Sequence, residues 1–155
     1  MKKLKLTGLV LLLSNILISC SSPPTAEDLN VTKTVFSEYK TYTKINDSLK
    51  ISPTHGGKFV FTQINSTGID SYRNKKYPYP DGTIAVKEAH DANDPASRID
   101  TLYVMKKTSG FDKDNGDWYY SVMDSSGKAK MAGVKIQMCI SCHQASKDKD
   151  YIIGF

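Results

Sequence analysis

Thiols are scarce in this sequence, with three cysteines in 155 residues, too few for the dense disulfide framework that staples small secreted domains. Its N-terminal apolar run, Leu9 to Ile18, is shorter than the roughly 20 residues a membrane-crossing helix requires. Charge of one sign is not concentrated either. The formal net charge is +5, and because Lys2, Lys3 and Lys5 precede the apolar run, the chain beyond it carries only about +2; nucleic acid is therefore not an expected partner. Gly56-Gly57-Lys58 lacks the spacing and the following Ser or Thr of a phosphate-binding loop. No internal repeat and no second domain can be read.

What is present begins with an export signal over residues 1–19, basic at its start, apolar from Leu9 to Ile18 and free of acidic residues. It ends in Leu17-Ile18-Ser19-Cys20, which resembles the bacterial lipobox, where cleavage leaves a cysteine that receives a diacylglyceryl group. The alternative is an ordinary cleaved signal with Cys20 an incidental thiol. Residues 20–30, with Pro23-Pro24, read as a tether, and residues 31–155 as one domain. The expectation is an exported protein anchored to a lipid bilayer through Cys20 and facing the periplasm, on either the inner or the outer membrane.

Cys139-Ile140-Ser141-Cys142-His143 carries the chemistry. Two thiols three apart followed by histidine form the attachment site of a c-type haem, the cysteines forming thioethers with the vinyl groups and His143 meeting the iron as axial ligand. A zinc or redox Cys-x-x-Cys pair is the competing reading. With Cys20 assigned to lipid and Cys139 and Cys142 to haem, no thiol remains for a disulfide. Only twelve residues follow His143, and none is Met or His. A sixth ligand would have to come from upstream, from Met105, Met123, Met131, His55 or His90, and their spacing singles none out. An iron with an open distal position is the more economical expectation.

Val31, Val35, Phe36 and Tyr39 recur at helical spacing and predict one amphipathic helix ending before Asn46. Lys58 to Asn65 reads as a strand entered through Gly56-Gly57, Ser66 to Lys76 as a short helix, and Tyr77 to Gly82 as a turn. Further strands are expected over Thr83 to Ala89, Ile99 to Lys106 and Asp117 to Met123. The haem motif is placed at the start of a final helix near residues 136–147. The fold class is α+β, an antiparallel sheet of about four to five strands packed by helices, with the haem-bearing helix at the C-terminal end.

The stretch from His55 to Phe155 resembles the cytochrome P-460 family. The segments that carry the resemblance are His55-Gly56-Gly57-Lys58-Phe59-Val60, Tyr79-Pro80-Asp81-Gly82-Thr83 running into Val86-Lys87-Glu88, and Val104-Met105-Lys106-Lys107. Gly110-Phe111-Asp112 with Asn115-Gly116-Asp117-Trp118 comes next, and then Cys139 to His143 with Asp150-Tyr151. The resemblance implies an antiparallel sheet packed by helices, usually a homodimer, with one covalent five-coordinate haem c. It implies either oxidation of hydroxylamine, with a lysine cross-linked to the porphyrin, or, in relatives resembling cytochrome c-prime-beta, binding of nitric oxide or carbon monoxide without known turnover. The family's cross-linking lysine follows the Pro-Asp-Gly turn, the place of Lys87 here.

Read from periodicity, Lys87 shares a strand face with Thr83 and Ala85, opposite Ile84 and Val86. Such a lysine most often faces solvent, although the small Ala85 would let a flat ring lie against that face. In Ile99 to Lys106 the inward positions are apolar or aromatic, among Leu102, Tyr103 and Val104, and Glu88 points away from Lys87, so the catalytic base is unknown. Trp118, Tyr119 and Tyr120 read as sheet core, and His55 and His90 as exposed loop residues. The leading functional expectation is oxidation of hydroxylamine or a similar small nitrogen species, with electrons passed to a small redox cytochrome. A gas-binding protein and a plain electron-transfer cytochrome are the alternatives.

Overall fold

A computed structural model describes residues 24–133 and 135–154. The signal segment and Cys20 lie outside the described residues.

The first helix, α1 (Ala26–Glu38), is fixed at its start by a capping box: the Thr25 amide donates to Asp28 Oδ2 at 2.8 Å and the Asp28 amide to Thr25 Oγ1 at 3.2 Å. It therefore begins inside the expected tether of residues 20–30, where Thr-x-x-Asp was a readable start signal. It also ends sooner than its periodicity suggests, a single 3-10 turn over Tyr39–Thr41 taking the chain onward.

The remainder is a seven-stranded antiparallel sheet. The strands are β1 (Thr43–Lys44), β2 (Lys50–Ser52), β3 (Lys58–Ile64), β4 (Ile84–His90), β5 (Ile99–Lys107), β6 (Trp118–Asp124) and β7 (Ala129–Gly133). Their order is β1-β3-β4-β5-β6-β7, with β2 also pairing β3. The strands missed in the sequence are the two-residue β1, the three-residue β2 and the Ala- and Gly-containing β7. None of them offers the run of β-branched and aromatic residues that marks a strand. The α+β class and the antiparallel sheet are as expected.

Alternation along the strands gives the sheet two different faces. On one, Val86, Leu102, Val104 and Met123 pack with Val35 and Tyr39 around α1, and fully burying an apolar side chain of this size stabilises the fold by about 2 kcal/mol. The opposite face carries two consecutive cross-strand rows. One row is Ile64, Ala85, Met105 and Tyr120, and the next is Thr62, Lys87, Tyr103 and Val122.

This second face is covered by α2 (Ser66–Asn74), by α3 (Gln137–His143) and by the segment after it. Gly68 lets α2 approach closely, since a Cβ there would stand 2.3 Å from Thr83 Cγ2. The last segment is tied down by a buried ion pair. Lys107 Nζ lies 2.7 Å from Asp150 Oδ2, and the same carboxylate oxygen accepts from the Tyr79 amide at 2.7 Å.

Candidate functional site

The Cys-x-x-Cys-His motif occupies most of α3 and ends with it, rather than opening a longer helix; a 3-10 stretch, Gln144–Lys149, succeeds it. Ile140 is 4% exposed and anchors the helix in the core, Cys139 is half-buried and Cys142 exposed. Burial raises the Cys139 thiol to about 11, so it is a thiol and not a thiolate at neutral pH. Among the described residues, no group of three or more His, Cys, Asp or Glu side chains converges as a bare metal site.

His143 is buried against the sheet, its ring centre 5.5 Å from that of Tyr120. Its Nδ1 lies 2.6 Å from the carbonyl oxygen of Tyr151. A carbonyl only accepts, so Nδ1 carries the hydrogen and Nε2 is left with its lone pair, the form in which imidazole binds a metal. Tyr151 is turned to present that carbonyl by two successive left-handed residues, Asp150 at φ 50° and Tyr151 at φ 70°. A pair of non-glycine residues in this region costs free energy that the surroundings must offset, and the Lys107–Asp150 pair supplies such an anchor. Burial lowers the pKa of His143, with the Tyr151 bond opposing it and the nearby Lys87 adding to it.

Lys87 lines the same cleft as His143, Cys139 and Cys142. It is 8% exposed, so the solvent-facing placement that periodicity alone favours is not what the fold adopts, and Ala85 beside it leaves the predicted room. Burial lowers its pKa to about 8, which populates the neutral amine to an extent that an exposed lysine does not.

Of the five upstream donors, the fold brings two to this cleft, His55 and Met105. Met123 is fully buried on the opposite face with the α1 cluster. His90 is neither in a loop nor exposed: it ends β4, is 2% exposed and lies with Nε2 2.9 Å from Glu88 Oε1. Glu88 thus points away from Lys87, as expected. His55 is half-buried and not an exposed loop residue, because the 3-10 turn Pro53–His55 folds over the sheet. Its ring centre is 4.2 Å from that of Tyr103, and burial lowers its pKa to about 4, with Lys87 and His143 adding to the shift.

Trp118 and Tyr119 are core, as read from the sequence, whereas Tyr120 is both core and cleft wall. No carboxylate lines the cleft among the described residues. Sequence reasoning did not identify Thr62 or Met138 as lining residues, because a strand partner and a helix placement are long-range facts that local pattern does not encode.

The residues present suit a covalently held haem. The cleft is mainly apolar, a small residue lies at its floor and a lone-pair nitrogen faces it beside two cysteines. Thr62 Oγ1 and Tyr120 Oη, both on the cleft face of the sheet, are buried with no protein hydrogen-bond partner, as expected where another group or water meets them.

Fold and site together define an α+β protein in which the Cys-x-x-Cys-His helix and one face of an antiparallel sheet line a cleft suited to a c-type haem. The chain belongs to the cytochrome P460 family, whose model matches residues 36–154, and as a member it binds c-type haem covalently. No individual curated protein matches the chain.

Proposed function

We propose that Cys139 and Cys142 form the haem thioethers, that His143 is the axial ligand, and that the protein oxidises hydroxylamine or a similar small nitrogen species. On this reading the electrons pass to a small redox cytochrome. Bound haem supplies a redox-active iron whose properties the protein tunes through axial ligand, burial and hydrogen bonding. The chain's own residues set those terms. The Tyr151 carbonyl keeps the proton of His143 on Nδ1 and leaves Nε2 basic, and Ala85, Val104 and Met105 give the cleft apolar walls.

The observation that carries the reading is Lys87, buried on the cleft face with a lowered pKa. A desolvated amine is a nucleophile, and this one is in the sequence position of the family's cross-linking lysine. Tryptic mapping of the purified protein should find the haem joining two peptides, one containing Cys139 to His143 and one containing Lys87, with absorption bands shifted to the red. Lys87→Leu should keep the haem on its two cysteines and lose both the shift and the oxidation of hydroxylamine with an artificial acceptor. An unmodified Lys87 peptide together with no turnover would sink the oxidase reading.

One observation favours the second reading, binding of nitric oxide or carbon monoxide without turnover. Oxidising hydroxylamine releases protons, and no carboxylate lines the cleft among the described residues to accept them. We also propose export of the protein and its attachment to a bilayer through a lipidated Cys20, which the signal-like residues 1–19 support.

A further inference from the structure

The face of the sheet that packs against α1 is mostly apolar, yet it buries three polar side chains together. Gln63 of β3 is 2% exposed, and Glu88 and His90 of β4 are 7% and 2% exposed. They share this face because Gln63 pairs with Val86, and Glu88 and His90 follow Val86 at a period of two. With Lys40, Lys44 and Ser97 they line a cavity of about 360 Å³. It lies on the side of the sheet away from the cleft of Lys87 and His143.

Two of the three are satisfied within the protein. His90 Nδ1 lies 3.2 Å from the Ser97 carbonyl oxygen, which only accepts, so Nδ1 carries a hydrogen. Nε2 lies 2.9 Å from Glu88 Oε1. Lone pairs do not face one another at that distance, so one proton lies between the two atoms and the pair carries no net charge. The Tyr39 phenol gives Glu88 a further partner, and burial, followed by that contact, holds its pKa above the ordinary value.

Gln63 is different. Its side-chain amide has no hydrogen-bond partner among the described residues and opens on the cavity, where a group or water is expected to meet it. The neighbours of the amide favour a charged group. Lys44 is the cross-strand partner of Gln63, and its Nζ is held 3.7 Å from the ring centre of the buried Phe61, a cation–π contact that keeps the ammonium at the rim. Lys40 brings a second ammonium to the same lining. With Glu88 neutralised by His90, these two are the charges the lining presents. Water would satisfy the amide alone, whereas an oxyanion meets the amide and both ammonium groups.

We propose that this cavity binds a small oxyanion carrying two negative charges, phosphate or a short dicarboxylate, held by the Gln63 amide and by Lys40 and Lys44. Ligand pockets span roughly 300–1,000 Å³, and this one is at the small end, which suits an ion of few heavy atoms. The site is separate from the haem cleft and does not depend on whether hydroxylamine is turned over.

Titration calorimetry of the purified haem protein at constant ionic strength in chloride, with inorganic phosphate in one arm and succinate in the other, tests the site and separates the two sources. Saturable one-to-one binding of at least one of them is expected. Gln63→Leu, which keeps the bulk and removes the amide, should weaken it by about tenfold or more, the loss of a hydrogen bond to a charged group. Lys44→Gln, on an exposed side chain, should do likewise and keeps the test open should the core variant fold poorly. Lys50→Gln removes an exposed lysine of β2 outside the cavity and should leave the affinity unchanged. The haem absorption should not move, because the site lies across the sheet. Absence of saturable binding of either ion at millimolar concentration overturns the proposal. So does binding that Lys50→Gln weakens as much as Lys44→Gln, which would mark a general surface attraction. Binding that shifts the haem absorption and survives Gln63→Leu and Lys44→Gln would put the anion in the haem cleft and equally overturn it.

Discussion

Lys87 is the residue at which burial and chemistry conflict. A charged ammonium at 8% exposure is disfavoured by desolvation, which is why its pKa falls from 10.5 to about 8. Between those two values Lys87 binds more protons in the unfolded chain than in the folded one, so its contribution to the stability of the chain before the lysine reacts rises with pH across that window. The full gain is on the order of 3 kcal/mol, and it is absent below about pH 8, where both states are protonated. The raised Cys139 thiol acts in the opposite direction over part of this interval, so the gain is read as a difference: in urea unfolding at pH 7.5 and pH 10 of protein produced with haem attachment withheld, wild type should gain stability relative to Lys87→Met. Stabilities of wild type and Lys87→Met that change in parallel over the same interval would place the amine in solvent.

At the scale of elements, α3 is short, and its orientation depends on the C-terminal segment packed beside it. Lys107 of β5 and Asp150 form a pair at 2.7 Å with side chains about one-tenth exposed. Asp150 also accepts from the Tyr79 amide, and Lys107 donates to the Gly116 carbonyl at 2.7 Å. Removing one member leaves a buried charge without compensation, a change that costs about 3–5 kcal/mol. Lys107→Met should therefore lower stability by about that amount in urea unfolding of the haem protein, with Lys107→Met combined with Asp150→Leu recovering part of it. Because Asp150 precedes the residue whose carbonyl fixes His143, the single variant should also shift the haem's reduction potential; an unchanged potential would show that the Tyr151 contact stands without the pair.

The elements with strong local patterns were legible in the sequence. The central strands β3 to β6 stand within a residue or two of the expected ranges, since each carries a run of β-branched and aromatic residues between turn signals. The alternation in Thr83 to Lys87 correctly put Ala85 and Lys87 on one face. It could not say which face was covered, because that depends on α3 and on a segment about sixty residues away in sequence. His55 escaped for the same reason: Pro53-Thr54-His55-Gly56-Gly57 has the composition of a solvent-exposed turn, and only the pairing of β2 with β3 lays it over Tyr103.

For the whole molecule, the question is where the domain resides. None of the helices among the described residues is long and apolar enough to cross a membrane, so membrane attachment on the proposed reading rests on lipid at Cys20. Acyl chains hold by apolar burial and are insensitive to salt. Cell fractionation should thus release the wild-type protein with detergent and not with high salt, whereas Cys20→Ala should accumulate as precursor or mislocalise. Fully soluble mature wild type would refute the anchor. The α1 capping box begins at Thr25, so only a few residues would separate the lipid from the folded domain, holding it close to the bilayer surface.

The hydrogen bond from His143 to Tyr151 also sets an order of events in time. Synthesis runs from the N-terminus, so Cys139 to His143 exist before residues 150 and 151, and until the later turn is made this contact does not distinguish the two imidazole nitrogens of His143. The imidazole acquires its fixed tautomer only once the turn at Asp150 and Tyr151 is in place. Proteolytic clipping between Gln144 and Asp150 of protein that already carries haem should leave the haem attached yet alter its electronic character, a species recognisable in cell extracts as covalent haem with heterogeneous spin.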